Sequence, residues 1–261
     1  MNAPVPSAPR GSALRVEGLG LQIGGATILK DVDLDVAPGS LVGVIGPNGA
    51  GKTTLFNVVS GLTRPTAGRV VLGGADITSA SVPARARAGL GRTFQTSSLF
   101  PKLTVLENVR LAAQVSLGGD YSLLRFPKRT DAATRVALER LDAVGLGHKA
   151  DALAGDISHG DKRKLEIAVL LATEASLVLL DEPMAGVASG DVAGLVENIR
   201  AMQREKGCTV LMVEHHIDVL LGLVDQVAVM YFGTIIAFDT PQNVMANPLV
   251  QSAYLGTGAA A

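Results

Sequence analysis

Apolar and polar residues alternate over positions 14–35, most regularly where Val32, Leu34 and Val36 stand against Asp31, Asp33 and Asp35. A period of two predicts half-buried antiparallel strands. Val70, Val71 and Leu72 running into Gly73-Gly74 predict a further strand and its turn. Four other runs, at 41–45, 177–180, 209–213 and 227–230, are apolar at nearly every position and are separated by helix-length segments. That is the pattern of parallel strands covered on both faces and joined by crossover helices. The grain changes in the middle of the chain. Thr104-Val105-Leu106-Glu107 is a capping box opening a helix toward Ala113, and positions 131–144 form an amphipathic helix stopped by Gly145. An irregular segment, 117–130, joins the two, so residues 96–171 read as a helical insertion between sheet elements.

The run at 41–45 leads into Gly46-Pro47-Asn48-Gly49-Ala50-Gly51-Lys52-Thr53, with Thr54 behind it, and a helix predicted from Lys52 to about Ser60. Every fixed position of the phosphate-binding pattern GxxxxGK[ST] is met in its strand, loop, helix setting. The glycines let backbone N–H groups converge on phosphate oxygens, and the helix N-terminus adds its positive end. Lys52 reaches the outer phosphates, and the Thr53 hydroxyl suits a Mg²⁺ ion. The run at 177–180 ends in Asp181-Glu182-Pro183. On a strand parallel to the first, both carboxylates emerge beside the terminal phosphate, Asp181 to hold the metal shell and Glu182 to polarise an attacking water. His215 follows the run at 209–213 after Glu214, where a neutral imidazole can link phosphate and water, while His216 points away.

Composition adds limits. The 261 residues are 48% hydrophobic and 18% charged with a formal net charge of -1, so nothing favours nucleic acid or an anionic surface as a partner. Residues 1–12, rich in Pro, Ala and Ser, lack the apolar core of a signal peptide and read as a flexible tail. The longest apolar stretches are broken by Glu174 and by Asp225-Gln226, short of a membrane span. The only cysteine, Cys208, reads as a small buried thiol.

With Gln95 in Arg92-Thr93-Phe94-Gln95 and with Ile157-Ser158-His159-Gly160-Asp161-Lys162-Arg163, the chain resembles the ATP-binding subunit of an ABC transporter over residues from about 14 to 256. The resemblance implies an α/β fold: a P-loop NTPase (RecA-like) parallel sheet core, an N-terminal antiparallel β subdomain and an inserted helical subdomain. Its bounds are 1–13 for a flexible tail, 14–95 for the β subdomain and first part of the core, 96–171 for the helical signature subdomain, 172–256 for the rest of the core and 257–261 for a second tail. It further implies ATP and Mg²⁺ as ligands, with Gln95 as a Mg²⁺ or water contact reporting to a membrane partner and His215 as the switch histidine. Ser158 and Gly160 belong to the signature that binds the γ-phosphate held by an opposite subunit. Their local reading agrees, since Ser158 is a natural N-cap with Asp161 three positions on, at a helix running to about Leu171. Each ATP would lie between residues 46–54 of one subunit and 158–160 of a head-to-tail partner, which is a paralogue or a second copy. Polytopic permease subunits, and indirectly a periplasmic solute-binding protein, complete the implied assembly at the cytoplasmic face of the inner membrane.

Three departures stand out. Ile23 occupies the place of an adenine-stacking aromatic, so weaker apolar packing should hold the base and selectivity should loosen. His159 and Asp161 replace the usual glycine and glutamine of the signature, and residues 185–188 lack the acidic or amide residue of the loop that couples the two sites. The switch phrase, the signature and the ending with Asp239-Thr240-Pro241, Asn247-Pro248 and Tyr254-Leu255-Gly256 resemble the longer ATPase of branched-chain amino acid uptake systems, with relatives for urea and other small amides or acids. The lipopolysaccharide export ATPase is the alternative branch, and a soluble ABC ATPase without membrane partner is the alternative class. From the residues around Gln95 to Leu106, Leu99, Phe100 and Leu103 form an apolar cluster that is either core or a socket for a partner's helix, with the socket the favoured reading.

Overall fold

The computed structural model describes residues 13–93, 99–117 and 131–255. Gln95, both tails and most of the 117–130 segment lie outside the described residues. The chain divides into two compact units.

The first unit takes the chain up to Leu90, Ser176–Glu182 and everything from Gln203 onward. It holds strands β1 (Leu14–Ile23), β2 (Ala26–Val36), β3 (Leu41–Ile45), β4 (Ala67–Leu72) and β5 (Ala75–Asp76), followed by β6 (Leu90–Arg92) at its border, β7 (Leu177–Asp181), β8 (Thr209–Val213), β9 (Gln226–Tyr231) and β10 (Thr234–Asp239). One antiparallel sheet runs β2-β1-β4-β5 and a second sheet runs β10-β9-β3-β8-β7-β6. In the second, β3 is parallel to β8 and β9, and β7 is parallel to β8, with Val44 opposite Val213 and Ala228, and Asp181 opposite Val213. Every residue of β3, β7 and β8 is buried, as a strand covered on both faces requires. In β2 the alternation is obeyed: Val32, Leu34 and Val36 are buried and Asp31, Asp33 and Asp35 exposed.

Helix α1 (Lys52–Ser60) places Leu55, Phe56 and Val59 in a core shared with Leu19, Leu29, Leu179 and Leu211 of the two sheets. Its C-terminal carbonyls are closed by a residue far along the chain. Arg85, on the short helix α2 (Val82–Arg87), is 1% exposed and donates to Val58 O at 2.7 Å, Val59 O at 2.6 Å, Thr78 O at 2.8 Å and Ala80 O at 3.0 Å. A guanidinium is suited to this because its donors fan out in a rigid plane toward several unpaired carbonyls at once.

The second unit takes Gly91–Ala175 and Pro183–Met202. Helices α3 (Val105–Ser116), α4 (Ala132–Ala143) and α5 (His159–Ala172) pack on one another around Val105, Val109, Ala137, Leu141 and Leu165. Thr104 caps α3 by accepting from Glu107 N–H at 3.1 Å, but the reciprocal half of the capping box is replaced: Glu107 turns to Arg110 at 2.7 Å, and the helix runs past Ala113 to Ser116. Helix α6 (Ser189–Lys206) crosses the border of the units, and α7 (Ile217–Leu223), α8 (Pro241–Ala246) and α9 (Pro248–Leu255) belong to the first. Among the described residues no helix is long and apolar enough to cross a membrane.

Candidate functional site

Because β3, β7, β8 and β9 are parallel, the loops leaving their C-terminal ends share one edge of the sheet. The loop after β3 carries Gly46 through Thr54. Its backbone is impossible for other residues at two points: Gly46 has φ 153°, and a Cβ there would collide with Met230 O, while Gly51 has φ 103° as the first residue before α1. The loop is braced from behind by Gly233 N–H, which donates to Ala50 O at 3.0 Å. Asn48, Gly49 and Thr53 are exposed, Pro47 and Thr54 partly buried, and Lys52 is 6% exposed.

Lys52 donates its ammonium to Gly46 O at 2.7 Å and Pro47 O at 3.0 Å. Burial pushes its pKa below the ordinary lysine value, and the charges of Glu182 and Asp181 pull it part of the way back. One cation thus feels both carboxylates. Asp181, the last residue of β7, is 1% exposed. Glu182 steps off the strand with φ 51° while its N–H donates to Val213 O at 2.9 Å. Pro183 disfavours the right-handed helical region for Glu182, and the left-handed one costs a non-glycine residue about 1–3 kcal/mol. Such strain is kept where a side chain has to be aimed.

His215 Nε2 lies 2.9 Å from Glu182 Oε1. A carboxylate oxygen accepts, so the Nε2–H tautomer of the ring is the one that this contact suits. The sequence places His215 between phosphate and water; the structure brings it to the carboxylate. Glu214, 3% exposed, accepts from His215 N–H at 3.0 Å and lies 3.4 Å from His216 Nδ1, so it anchors the backbone of one histidine and turns the other ring aside. This anchoring role escapes the sequence pattern, although a glutamate closing an apolar strand before a histidine is its visible sign. Ile23 ends β1 and is 57% exposed.

The remaining expected residues lie in the second unit. Ser158 is the N-cap of α5, accepting from Asp161 N–H at 3.1 Å, and is itself exposed. Gly160 is buried, and a Cβ there would stand 3.1 Å from Asp191 Oδ2, a contact the exposed aspartate would have to yield to. Asp161 pairs with Lys149 Nζ at 2.5 Å. Burial raises its pKa, but the bonds from Lys149 and Ser158 outweigh that and leave it below the usual carboxylate value. The Lys149 partnership is a second contribution invisible to local pattern.

The first unit's residues fit a polyphosphate with a divalent cation: the glycine cradle excludes side chains, Lys52 is the buried cation, and Thr53 with Asp181 offers hard oxygen donors. Among the described residues there is no cluster of three or more His, Cys, Asp or Glu side chains able to hold a metal alone. A Mg²⁺ ion that shares its shell with phosphate oxygens and water needs no such cluster.

Residues 29–185 match the family model described as ABC transporter. The chain is 36% identical to the high-affinity branched-chain amino acid transport ATP-binding protein LivG of Escherichia coli (strain K12) over 93% of its length and 97% of that protein's. It is 35% identical to the lipopolysaccharide export system ATP-binding protein LptB of Haemophilus influenzae, covering 94% and 98%. Among solved structures, the ADP conformation of an ATP-binding cassette of an ABC transporter superposes with a TM-score of 0.82 at 32% identity, over 94% of this chain and 99% of that one.

Proposed function

This chain belongs to the ABC transporter family, and from that premise we propose that it is the ATP-hydrolysing subunit of an importer for branched-chain amino acids or a related small polar solute. The observation that carries the hydrolytic part is the 2.9 Å contact of His215 Nε2 with Glu182 Oε1 at the strand edge that bears the phosphate loop. Glu182 takes the proton of the attacking water, and the His215 N–H fixes which carboxylate oxygen faces it. Lys52 and the first N–H groups of α1 oppose the charge of the phosphates. Thr53 and Asp181, with Gln95 from outside the described residues, would hold Mg²⁺, which would supply charge neutralisation on the phosphate oxygens.

A second ATPase subunit, paralogue or copy, contributes Ser158 and Gly160 head to tail. In support, Ser158 and Gly160 stand at the N-terminus of a fourteen-residue helix, and Ser158 is exposed. As chain segments, residues 14–95 and 172–256 are taken as the β subdomain and core and 96–171 as the signature subdomain, while the compact units put Pro183–Met202 with the signature helices. A permease helix docks on the second unit at the loop carrying Leu99, Phe100 and Leu103, of which Leu99 and Leu103 are partly buried. Phe100, on the same loop as Leu99 and Pro101, is 57% exposed, and its backbone is fixed by Asn108 at 2.8 Å and 3.1 Å. The assembly works at the cytoplasmic face of the membrane, fed by a periplasmic binding protein.

The importer reading draws support from the similarity to the branched-chain amino acid ATPase, and the exporter reading from the nearly equal similarity to the lipopolysaccharide export ATPase. The test is reconstitution in vesicles with the permease subunits that co-purify with it. ATP-dependent uptake of leucine, isoleucine or valine is expected, and ATP-dependent lipopolysaccharide extraction instead would move the chain to the export branch.

A further inference from the structure

Phe232 is the most exposed large hydrophobic side chain among the described residues, at 79%. It also holds φ 44°, a backbone conformation that a bulky residue adopts rarely and that Gly or Asn would take at lower cost. The turn from β9 to β10 keeps an aromatic where neither burial nor backbone preference calls for one.

Its position is fixed from both sides. The next residue, Gly233, donates its N–H to Ala50 O of the phosphate loop at 3.0 Å, and its carbonyl accepts from Lys30 N–H of β2 at 2.9 Å. Standard bond lengths then put Phe232 Cα within about 5.5 Å of Ala50 O. Since β3 and β9 are parallel with Ile45 opposite Val229, the phosphate loop and the Tyr231-Phe232 turn leave the same sheet edge. Tyr231 meets the Phe232 ring edge to face, with centroids 4.5 Å apart and planes at 73°. This limits the ring's rotation while most of it stays in solvent. The start of β2 lies against the same loop, because a Cβ on Gly51 would sit 3.4 Å from Ile28 O. On the hairpin beyond it, Ile23 offers an aliphatic surface and no π-face.

We propose that Phe232 packs against the nucleobase of the nucleotide held by the phosphate loop, supplying the aromatic surface that Ile23 does not. The proposal rests on the reading that ATP is the bound nucleotide. It makes Phe232 a base-affinity residue and assigns it no part in hydrolysis.

The test is equilibrium titration of the full chain, at concentrations where sedimentation shows monomer, with ATP and separately with inorganic tripolyphosphate. Phe232→Ala should weaken ATP about 2- to 12-fold, the range of an aromatic pair, and leave tripolyphosphate unchanged, while Phe232→Tyr should bind ATP as the wild type does. Ile23→Tyr should change ATP affinity less than twofold in the wild-type background and restore most of the loss in the Phe232→Ala background. ATP affinity unmoved by Phe232→Ala overturns the proposal, as does an equal loss of ATP and tripolyphosphate, which would mean a disturbed loop. A Phe232→Ala variant that binds ATP normally as a monomer yet fails to dimerise would assign the ring to subunit pairing and overturn it too. A wild-type chain that binds tripolyphosphate but not ATP would overturn the ATP reading itself, and the base contact with it.

Discussion

Helix α1 begins at Gly51, with φ 103°, no side-chain acceptor over its first N–H groups and no carboxylate in its first turn. Helix α5 begins at Ser158, whose hydroxyl accepts from Asp161 N–H, and its first turn carries the Asp161 carboxylate. Both ends present the positive pole of a helix. The first keeps all its donors for a ligand and adds the Lys52 ammonium, whereas the second has satisfied one donor internally and brought its own negative charge, tied to Lys149. An end of the first kind can capture a polyphosphate by itself. An end of the second kind is suited to a phosphate whose charge is already largely neutralised elsewhere, as the proposed closing subunit would meet it. On the function proposed above, the chemistry would belong to the first end, and the second would act only on assembly.

The largest effect should come from Glu182→Gln, which keeps the shape and loses the base. ATP turnover should fall about 10²- to 10⁴-fold while ATP binding persists and the bound form accumulates as dimer. Turnover near the wild-type rate would take the chemistry away from the α1 end.

Next in size is Arg85→Ala, which acts on α1 from its other terminus. Taking the guanidinium away leaves the Val59 carbonyl without that donor and Val58 O with only the Gly61 N–H, which should cost about 2–4 kcal/mol, read as a lower urea midpoint. A midpoint unchanged from wild type would show that water replaces the guanidinium and that α1 needs no such clamp.

The comparison itself is most directly probed by a pair of variants. Lys52→Ala removes charge-assisted bonds worth about 1.5–3 kcal/mol, so monomer affinity for ATP should drop roughly 10- to 100-fold. Ser158→Arg should leave monomer affinity within twofold and abolish ATP-driven pairing. Equal losses in the two monomers would erase the distinction between the ends.

The smallest effect concerns the charge that α5 carries. The folded pKa of Asp161 lies below its ordinary 3.8, so the stability it contributes is complete above that value and is lost as pH falls through the folded value. Asp161→Asn should cost about 0.3–1 kcal/mol at neutral pH, and the gap to wild type should close on acidification. Parallel acid limbs in the two unfolding curves would mean that the Lys149 pair contributes nothing.

Much of this molecule is written locally. The alternation around Val32, Leu34 and Val36, the apolar runs of β3, β7 and β8, the glycine-lysine pattern of the phosphate loop and the N-caps Thr104 and Ser158 are all readable because each depends on neighbours within a turn or two of chain. The carboxylate pair at the end of β7 was visible for the same reason. Even so, the capping box at Thr104 closed only halfway, because Arg110 one turn on offered Glu107 a charge-assisted partner.

What no local pattern contains is which distant groups meet. His215 and Glu182 are 33 positions apart and come within 2.9 Å because β8 lies beside β7 and because Glu182 turns left-handed before Pro183. Arg85 reaches the carbonyls of residues 26 and 27 positions earlier, and Gly233 reaches Ala50 across the whole helical insertion. Sequence alone determined the elements and the chemical groups at their ends, since those follow from periodicity and backbone propensity. Strand order and close packing decided which ends face one another, because burying both faces of the parallel sheet fixes its neighbours, and only that brings a histidine to a particular carboxylate oxygen.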